Sequence, residues 1–343
     1  MRRTFYASTL ALVFAALAAT NVFAQATRRA AGPGASAQGL AAAASLPLPA
    51  SDAVLTLDVR ALFNEVLPRA LASDKEKLAK VNADVDEFKA RTGIDAREFD
   101  TLAVGSRIVA LPSGATKFDH TTAVARGRFR PEALVAAARA AATGGLTEQT
   151  YGGKTVYVAA VNDTLKLFGL ARMRVKELAF AVLDQNTLAL GEPEDVRAAI
   201  DAQAGRGRAD MSVLNFPKDA GTFLAFGGNV PAGALAGVDS GISSSVDRAI
   251  ESVRGFYGTV GSTAAGLQMM TTLRAGSAPD AKQLYDVANA LRTMAPTFIA
   301  VAGAKWDFAR GMVNSLKITT KGNEVQLRLE VPQADIPAVL KSL

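Results

Sequence analysis

The sequence predicts an α+β fold with two related halves, each a mainly antiparallel sheet with helices packed on one face. Strand signals come first: apolar and polar residues alternate over residues 53–59, and the turn sequence Tyr-Gly-Gly-Lys at residues 151–154 predicts a β-hairpin. Helix signals lie between them, for example the apolar residues Leu78, Val81 and Val85 at helical spacing. Both signals recur along the chain, and together they indicate the α+β class.

A weak internal repeat predicts that the two halves are related. Residues 178–200 and residues 315–340 each read as a strand, a polar turn containing asparagine, a second strand, a proline and a helix. The spacing between matching segments differs, so the repeat concerns structure rather than a strict sequence period. We therefore expect one half over residues 51–205 and the other over residues 206–343. The sequence leaves open whether they share one sheet.

Residues 1–24 have the features of a secretory signal peptide. Arg2 and Arg3 precede an apolar run over residues 7–20, and small residues precede a cleavage site after Ala24. A helix needs about 20 apolar residues to span a bilayer, and this run is shorter. We therefore expect a periplasmic or secreted mature chain with no transmembrane segment. Sec export is favoured, and the twin-arginine route stays open because Arg-Arg-Thr-Phe resembles its motif.

Residues 25–50 are rich in alanine, glycine and serine, which predicts a disordered linker. Residues 48–54 (LPASDAV), 59–63 (VRALF) and 91–95 (RTGID) resemble the corresponding segments of a group of exported bacterial two-repeat α+β proteins. The resemblance covers about the first third of the mature chain. It implies an exported protein, and it implies no activity and no functional residue.

Composition excludes several kinds of site. The chain has no cysteine, which excludes disulfides, thiolate nucleophiles, iron–sulfur clusters and thiolate zinc sites. Its net charge of +6 is spread along the chain and lacks the dense basic body of a nucleic-acid-binding protein. The segment Gly153-Lys154-Thr155 is followed by a predicted strand rather than by the helix of a phosphate-binding loop. We therefore expect no nucleic acid partner and no cofactor.

His120 is the only histidine, so it is the only residue available as the base of a Ser-His-Asp triad. No Gly-x-Ser-x-Gly motif accompanies it. We interpret His120 as a solvated turn histidine. A histidine-based metal site requires more than one imidazole, so the sequence predicts no metal site and no catalytic residue.

One group of residues predicts a binding surface. Alternate residues of a strand point to the same face, so cations at every second position form a row. Two predicted strands, residues 121–129 and residues 165–175, carry such rows, and in one sheet they would bring six cations together to bind an anion. The predicted anion-binding residues are Arg126, Arg128, Arg130, Arg172, Arg174 and Lys176. The alternative is a solvated sheet face with carboxylates between the cations.

Three functions remain open. The first is a non-enzymatic exported protein of the cell envelope, binding or structural, because no nucleophile, metal set or cofactor loop is recognised. The second is a carrier of an amphiphilic anion such as a lipid, with Met269 and Met270 among the residues that line an apolar cavity. The third is an envelope hydrolase that works through two carboxylates with shifted pKa values. The expected partner is an anionic or amphiphilic small ligand or another envelope protein.

Overall fold

The computed structural model describes residues 35–72, 74–92, 95–111, 116–142, 145–167, 171–302, 308–336 and 339. The predicted signal peptide and the first part of the predicted linker lie outside these residues. The described chain has the α+β class that the sequence predicts, with helices beside antiparallel strands. It divides into two compact units, which are described separately: an N-terminal unit within residues 35–107 and 118–225, and a C-terminal unit within residues 108–117 and 226–339.

The N-terminal unit is built on seven described strands in the order β1-β2-β3-β7-β6-β5-β4. The pairs β1–β2, β3–β7, β7–β6, β6–β5 and β5–β4 are antiparallel. The strands are β1 Ala53–Asp58, β2 Phe99–Ala110, β3 Thr116–Gly127, β4 Leu146–Tyr151, β5 Lys154–Leu167, β6 Ala171–Asp184 and β7 Thr187–Gly191. The helices are α1 Ala35–Ala44, α2 Val59–Ala61, α3 Leu67–Ala70, α4 Lys75–Thr92, α5 Pro131–Ala141 and α6 Pro193–Gln203, with a π-helical turn Leu62–Val66 and 3₁₀ turns Ala96–Glu98 and Met211–Leu214.

Helix α6 covers the sheet at β5, β6 and β7. Its residues Val196, Ala199 and Ile200 recur at helical spacing and are buried. They share one apolar cluster with Ala179 and Ala181 of β6. Alanine on both sides lets the helix lie close to the strands, so small apolar residues build this part of the core.

The connection from β7 to α6 brings the start of the helix beside β3. A side chain at Gly191 would lie 3.0 Å from the carbonyl oxygen of Thr121 and 3.3 Å from Cβ of Asp195. Contacts this short are tighter than most Cβ contacts, so a side chain here would require its neighbours to shift by a few tenths of an ångström. The absence of a side chain at Gly191 therefore lets the first turn of α6 lie close to β3.

The predicted disorder of residues 25–50 is wrong from residue 35 onward. Residues 35–44 form helix α1, in which Leu40 and Ala43 are buried. The helix contacts β1, and the backbone of Gly39 lies directly against the carboxylate of Asp58. Alanine has the highest helix propensity, and the composition that suggests a linker also suits a small, closely docked helix.

The hairpin predicted at residues 151–154 is confirmed. Strands β4 and β5 pair from Tyr151 opposite Lys154, and Gly152 and Gly153 have φ angles of +55° and +74° between them. Two consecutive residues with positive φ are typical of the type I′ turn that suits the strand twist. The single strand predicted over residues 165–175 is wrong, because β5 ends at Leu167 and β6 begins at Ala171.

The C-terminal unit contains strands in the order β11-β12-β10-β9-β8, and the pairs β11–β12, β12–β10 and β10–β9 are antiparallel. Its strands are β8 Thr222–Asn229, β9 Val253–Thr263, β10 Gly266–Ala275, β11 Lys317–Lys321 and β12 Glu324–Pro332, and its helices are α7 Ser244–Glu251, α8 Ala278–Ala302 and α9 Phe308–Ser315. Helix α8 is the longest of these, and Pro296 lies inside it. Within the described part of the chain, no helix has both the length and the apolarity needed to cross a bilayer.

The division into units differs from the boundary predicted at residues 205–206. The glycine-rich segment at residues 205–208 does not act as a linker between units. The backbone N–H of Ala50 donates to the carbonyl oxygen of Gly207 over 2.7 Å, and that of Ala209 donates to Leu48 over 2.9 Å. These hydrogen bonds hold the segment inside the N-terminal unit, which continues to residue 225.

Candidate functional site

The site is built around His120, which lies within β3 rather than in the turn that the sequence predicts. Its φ angle is +49°, and it is the only residue other than glycine with a positive φ in the described ranges. This left-handed conformation crowds the Cβ atom of an L-residue and costs about 1–2 kcal/mol. Unusual backbone of this kind is concentrated at functional sites, so the conformation of His120 points to a candidate site.

Neighbouring hydrogen bonds hold His120 in this conformation. The hydroxyl of Ser106 on β2 donates to the carbonyl oxygen of Asp119 over 3.0 Å. The same hydroxyl lies 2.9 Å from the hydroxyl of Thr121. Because both residues that flank His120 are bonded to one side chain, the backbone between them is held in place.

Helix α6 supplies two carboxylates to the same place. The helix begins after Glu192, and Pro193 occupies the first helical position, where its fixed φ and missing N–H are favourable. Glu194 and Asp195 follow in the first turn. Nδ1 of His120 lies 3.2 Å from Oδ1 of Asp195 and 3.3 Å from Oε1 of Glu194.

The environment of Asp195 is electrostatically unusual. Its side chain is 7% exposed, and its Oδ2 atom is buried without a hydrogen-bond partner in the described part of the chain. Burial raises the pKa of Asp195, the hydrogen bond with His120 lowers it, and the charges of Glu192 and Glu194 raise it further. A buried carboxylate with a spare oxygen and acidic neighbours is stabilised by protonation or by a nearby cation.

Two other buried aspartates are accounted for by their hydrogen bonds. Asp58 caps α2 by accepting from the backbone N–H of Ala61 over 2.8 Å. Asp95 accepts from the backbone and side chain of Arg97 and from Lys89. Both therefore have structural roles, in contrast to Asp195.

This site was not predicted from the sequence. In sequence, Glu194 and Asp195 resemble an ordinary acidic first turn that complements the helix dipole. His120 and Asp195 are 75 residues apart, so only the packing of α6 beside β3 brings them together. The expectation that one imidazole excludes a metal site does not take carboxylate ligands into account. The available signal was the combination of a lone histidine with an acidic helix start.

The six predicted anion-binding cations are not brought together. Arg126 pairs with Thr187 of β7, which also pairs with Asp184 of β6, so Arg126 is level with Asp184. Arg174 lies ten residues before Asp184 on β6. At the usual rise of a strand, this places Arg174 roughly 33 Å from the level of Arg126. Arg128 follows the end of β3, and the row does not continue as a strand. The register thus separates Arg126 from Arg174 along the sheet, and anion binding by these six residues stays a prediction.

The remaining predicted cations have separate positions. Arg130 is the N-cap residue of α5. Arg172, Arg174 and Lys176 lie on β6, and their side chains are outside what the structure describes. Arg130 lines a small cleft of about 70 Å³ together with Lys89, Glu98, Phe99, Phe129, Ala133 and Leu134. This volume holds a few water molecules and is far below the several hundred Å³ of a typical ligand pocket.

Comparisons with known proteins give structural similarities only. No protein-family model matches the chain, and no curated protein matches it. Crystal forms III, I and IV of TP0453 are similar in structure, with TM-scores of 0.45, 0.43 and 0.42 and 9% sequence identity. In the same order, the three alignments cover 87%, 86% and 85% of this chain and 98%, 96% and 94% of the TP0453 chain. With TM-scores below 0.5, these similarities carry no argument about function.

Proposed function

We propose that this chain is an exported, non-enzymatic binding protein of the cell envelope, and that it binds a small cation through His120, Glu194 and Asp195. The observation that carries the proposal is the buried carboxylate of Asp195, whose Oδ2 atom lacks a partner among the described residues. Burying a charged group costs free energy unless an opposite charge or hydrogen bonds compensate. A bound cation supplies that compensation.

The local charge supports a cation rather than an anion. Glu192, Glu194 and Asp195 place three carboxyl groups at one helix start, and His120 is the one basic group that contacts the last two in the described chain. The first turn of a helix carries only about half a positive charge. The balance of these charges is therefore negative, which attracts a cation.

The test is thermal unfolding of the untagged mature chain, residues 25–343, after treatment with a chelator. The protein is heated alone and with Mg²⁺, Ca²⁺, Mn²⁺ or Zn²⁺. A cation present at 100 times its Kd stabilises the folded protein by about 2.7 kcal/mol. We expect at least one of them to raise the Tm of the natural protein and to leave the Tm of Asp195→Ala unchanged. If no cation raises the Tm, the proposed function is wrong.

Export is tested separately. Cell fractionation, with mass spectrometry of the N-terminus, is expected to find the protein outside the cytoplasm and beginning at Gln25. Full-length protein in the cytoplasmic fraction would contradict this part of the proposal.

One observation favours a second candidate, the carboxylate-dependent hydrolase. Glu194 and Asp195 present two carboxyl groups beside one imidazole, and burial raises the pKa of Asp195. Shifted pKa values in neighbouring carboxyl groups are typical of general acid–base sites. The test is hydrolysis of chromogenic esters and glycosides by the mature protein. Activity that Glu194→Gln and Asp195→Asn both abolish would favour the hydrolase over the non-enzymatic function.

A further inference from the structure

We infer that the cation is a transition metal ion of the zinc class, held by Nδ1 of His120 and by one carboxylate oxygen each of Glu194 and Asp195. This inference rests on the proposed function and narrows its ligand. The three donor atoms lie within 4.8 Å of one another, so small side-chain movements bring all three within reach of one ion. Each donor comes from a different residue, and two of the three residues are consecutive on α6.

The distances within the site agree with this geometry. A tetrahedral zinc ion has bonds of about 2.0–2.1 Å, so neighbouring donor atoms around it are about 3.3–3.4 Å apart. The imidazole nitrogen of His120 lies 3.2 Å from the Asp195 oxygen and 3.3 Å from the Glu194 oxygen. An ion bound between these atoms therefore requires little change in the His120–Asp195 and His120–Glu194 distances.

The kinds of donor atom select the class of metal. Ca²⁺ and Mg²⁺ are bound by sets of six or more oxygen ligands, and neither favours an imidazole nitrogen. Imidazole together with carboxylates suits Zn²⁺ and its neighbours in the transition series. Soft metals such as Cu(I) prefer thiolates, and the chain has no cysteine.

The support around the donors also fits a metal site. Asp195 is held deep in the unit with a side chain 7% exposed, whereas His120 is 48% exposed and Glu194 is 64% exposed. One ligand is therefore anchored, and two line the open side through which an ion enters. The left-handed backbone of His120 is held by the contacts of Ser106 with both flanking residues. With three protein ligands, the fourth tetrahedral position is left for water or for a group on a partner.

The experiment uses the fact that the chain has one histidine. In untagged, ¹⁵N-labelled mature protein, every imidazole signal in a long-range ¹H–¹⁵N NMR spectrum belongs to His120. Saturating Zn²⁺ is expected to shift the Nδ1 signal to a metal-bound position. An Nδ1 signal that stays at its metal-free position in saturating Zn²⁺ would overturn the inference.

Variants and a spectroscopic probe complete the test. Co²⁺ in place of Zn²⁺ is expected to bind at one equivalent with the intense visible absorption of a tetrahedral ion. The variants His120→Asn and Asp195→Asn are expected to weaken Zn²⁺ binding by at least about tenfold each, since even partners of metal ligands contribute that much. The matched control Glu192→Gln removes a nearby charge without removing a ligand. Its affinity for Zn²⁺ should fall much less than that of the two ligand variants.

The outcomes separate the two levels of the proposal. If Ca²⁺, Mg²⁺ or an organic amine binds at Asp195 and Zn²⁺ binds no better, the proposed function stands and the zinc-class inference fails. Zn²⁺ binding of equal strength in His120→Asn also overturns the inference, because the imidazole is then not a ligand. If no cation binds, both the function and the inference are wrong.

Discussion

Nδ1 of His120 lies 3.2 Å from Oδ1 of Asp195 and joins β3 to the first turn of α6 across 75 residues of sequence. The two groups differ in their surroundings, because the histidine side chain is half exposed and the aspartate is buried. The pair therefore joins an exposed imidazole to a buried carboxyl group whose pKa is raised by burial. This is the pattern expected of a site that is kept for binding rather than for stability.

The first prediction concerns the stability cost of Asp195. In metal-free protein at pH 8, Asp195→Asn is expected to keep or raise the free energy of unfolding, with a gain on the order of 1 kcal/mol. The change removes a buried charge, and the imidazole left behind faces solvent. Urea unfolding measures the difference. The control Glu194→Gln is exposed and should stay within about 0.5 kcal/mol of the natural protein. A loss of 2 kcal/mol or more in Asp195→Asn would show a mainly structural role.

The second prediction concerns the backbone of His120. Glycine adopts a positive φ without strain, so His120→Gly is expected to be about 1 kcal/mol more stable than His120→Ala. Ala125 on the same strand serves as the control, since it pairs regularly with Leu188. There, Ala125→Gly should lower stability by about 0.5–1 kcal/mol. Equal stability of the two His120 variants in urea unfolding would contradict the strain at this residue.

The third prediction concerns acid stability through Asp95. Burial raises its pKa, but hydrogen bonds from Arg97 and Lys89 more than offset burial and hold the pKa at about 2, below the ordinary 3.8. At 1.36 kcal/mol per pKa unit, the ionised form stabilises the fold by about 2 kcal/mol. Because the pKa of Asp95 is lower in the folded than in the unfolded protein, the ionised carboxylate stabilises the fold at pH values above the unfolded pKa. This stabilisation is lost as the pH falls from about 4 to about 2.

Asp95→Asn tests this linkage. It is expected to lose about 2 kcal/mol at pH 7 in urea unfolding and to approach the natural protein as the pH nears 2. Asp86 contacts the same Arg97 but is 61% exposed, so Asp86→Asn should lose less than about 1 kcal/mol. A loss in Asp95→Asn that is the same at pH 7 and pH 2 would mean that packing rather than charge is responsible.

The fourth prediction concerns the docking of α1. In an isolated helix, Gly39→Ala would favour helix by about 1 kcal/mol. Here a Cβ atom at Gly39 would collide with the carboxylate of Asp58, so the substitution is expected to release α1 from the unit. Limited proteolysis should then cut residues 35–50 faster than in the natural protein. Gln38→Ala, at an exposed position of the same helix, should leave the cleavage rate unchanged. Unchanged cleavage in Gly39→Ala would show that α1 does not depend on this contact.

The local features of this chain followed from its sequence because they depend on neighbours in the chain. The α+β class follows from the alternation and helical spacing of apolar residues. The hairpin at Gly152 and Gly153 follows from residues that accept positive φ. Helix α6 follows from a proline and acidic residues at its start. In each case, a few consecutive residues carry the whole physical cause.

Features that depend on packing between distant segments were decided by the tertiary structure. Composition alone suggested a disordered linker at residues 35–50, but burial of Leu40 and the fit of Gly39 on Asp58 make it a docked helix. The six cations alternate in sequence, but strand register places Arg126 and Arg174 at different levels of the sheet. Register depends on which strands pair and where they turn, and no short segment contains that information.

The candidate site shows the same division. By itself, the sequence determined that the chain has one imidazole, no thiol and an acidic start to α6. The tertiary structure decided that the imidazole lies against that helix start, because Gly191 lets α6 approach β3 and Ser106 holds the backbone around His120. A binding site needs donor atoms within a few ångströms of one another, and only the folding of residues 75 positions apart produces that proximity.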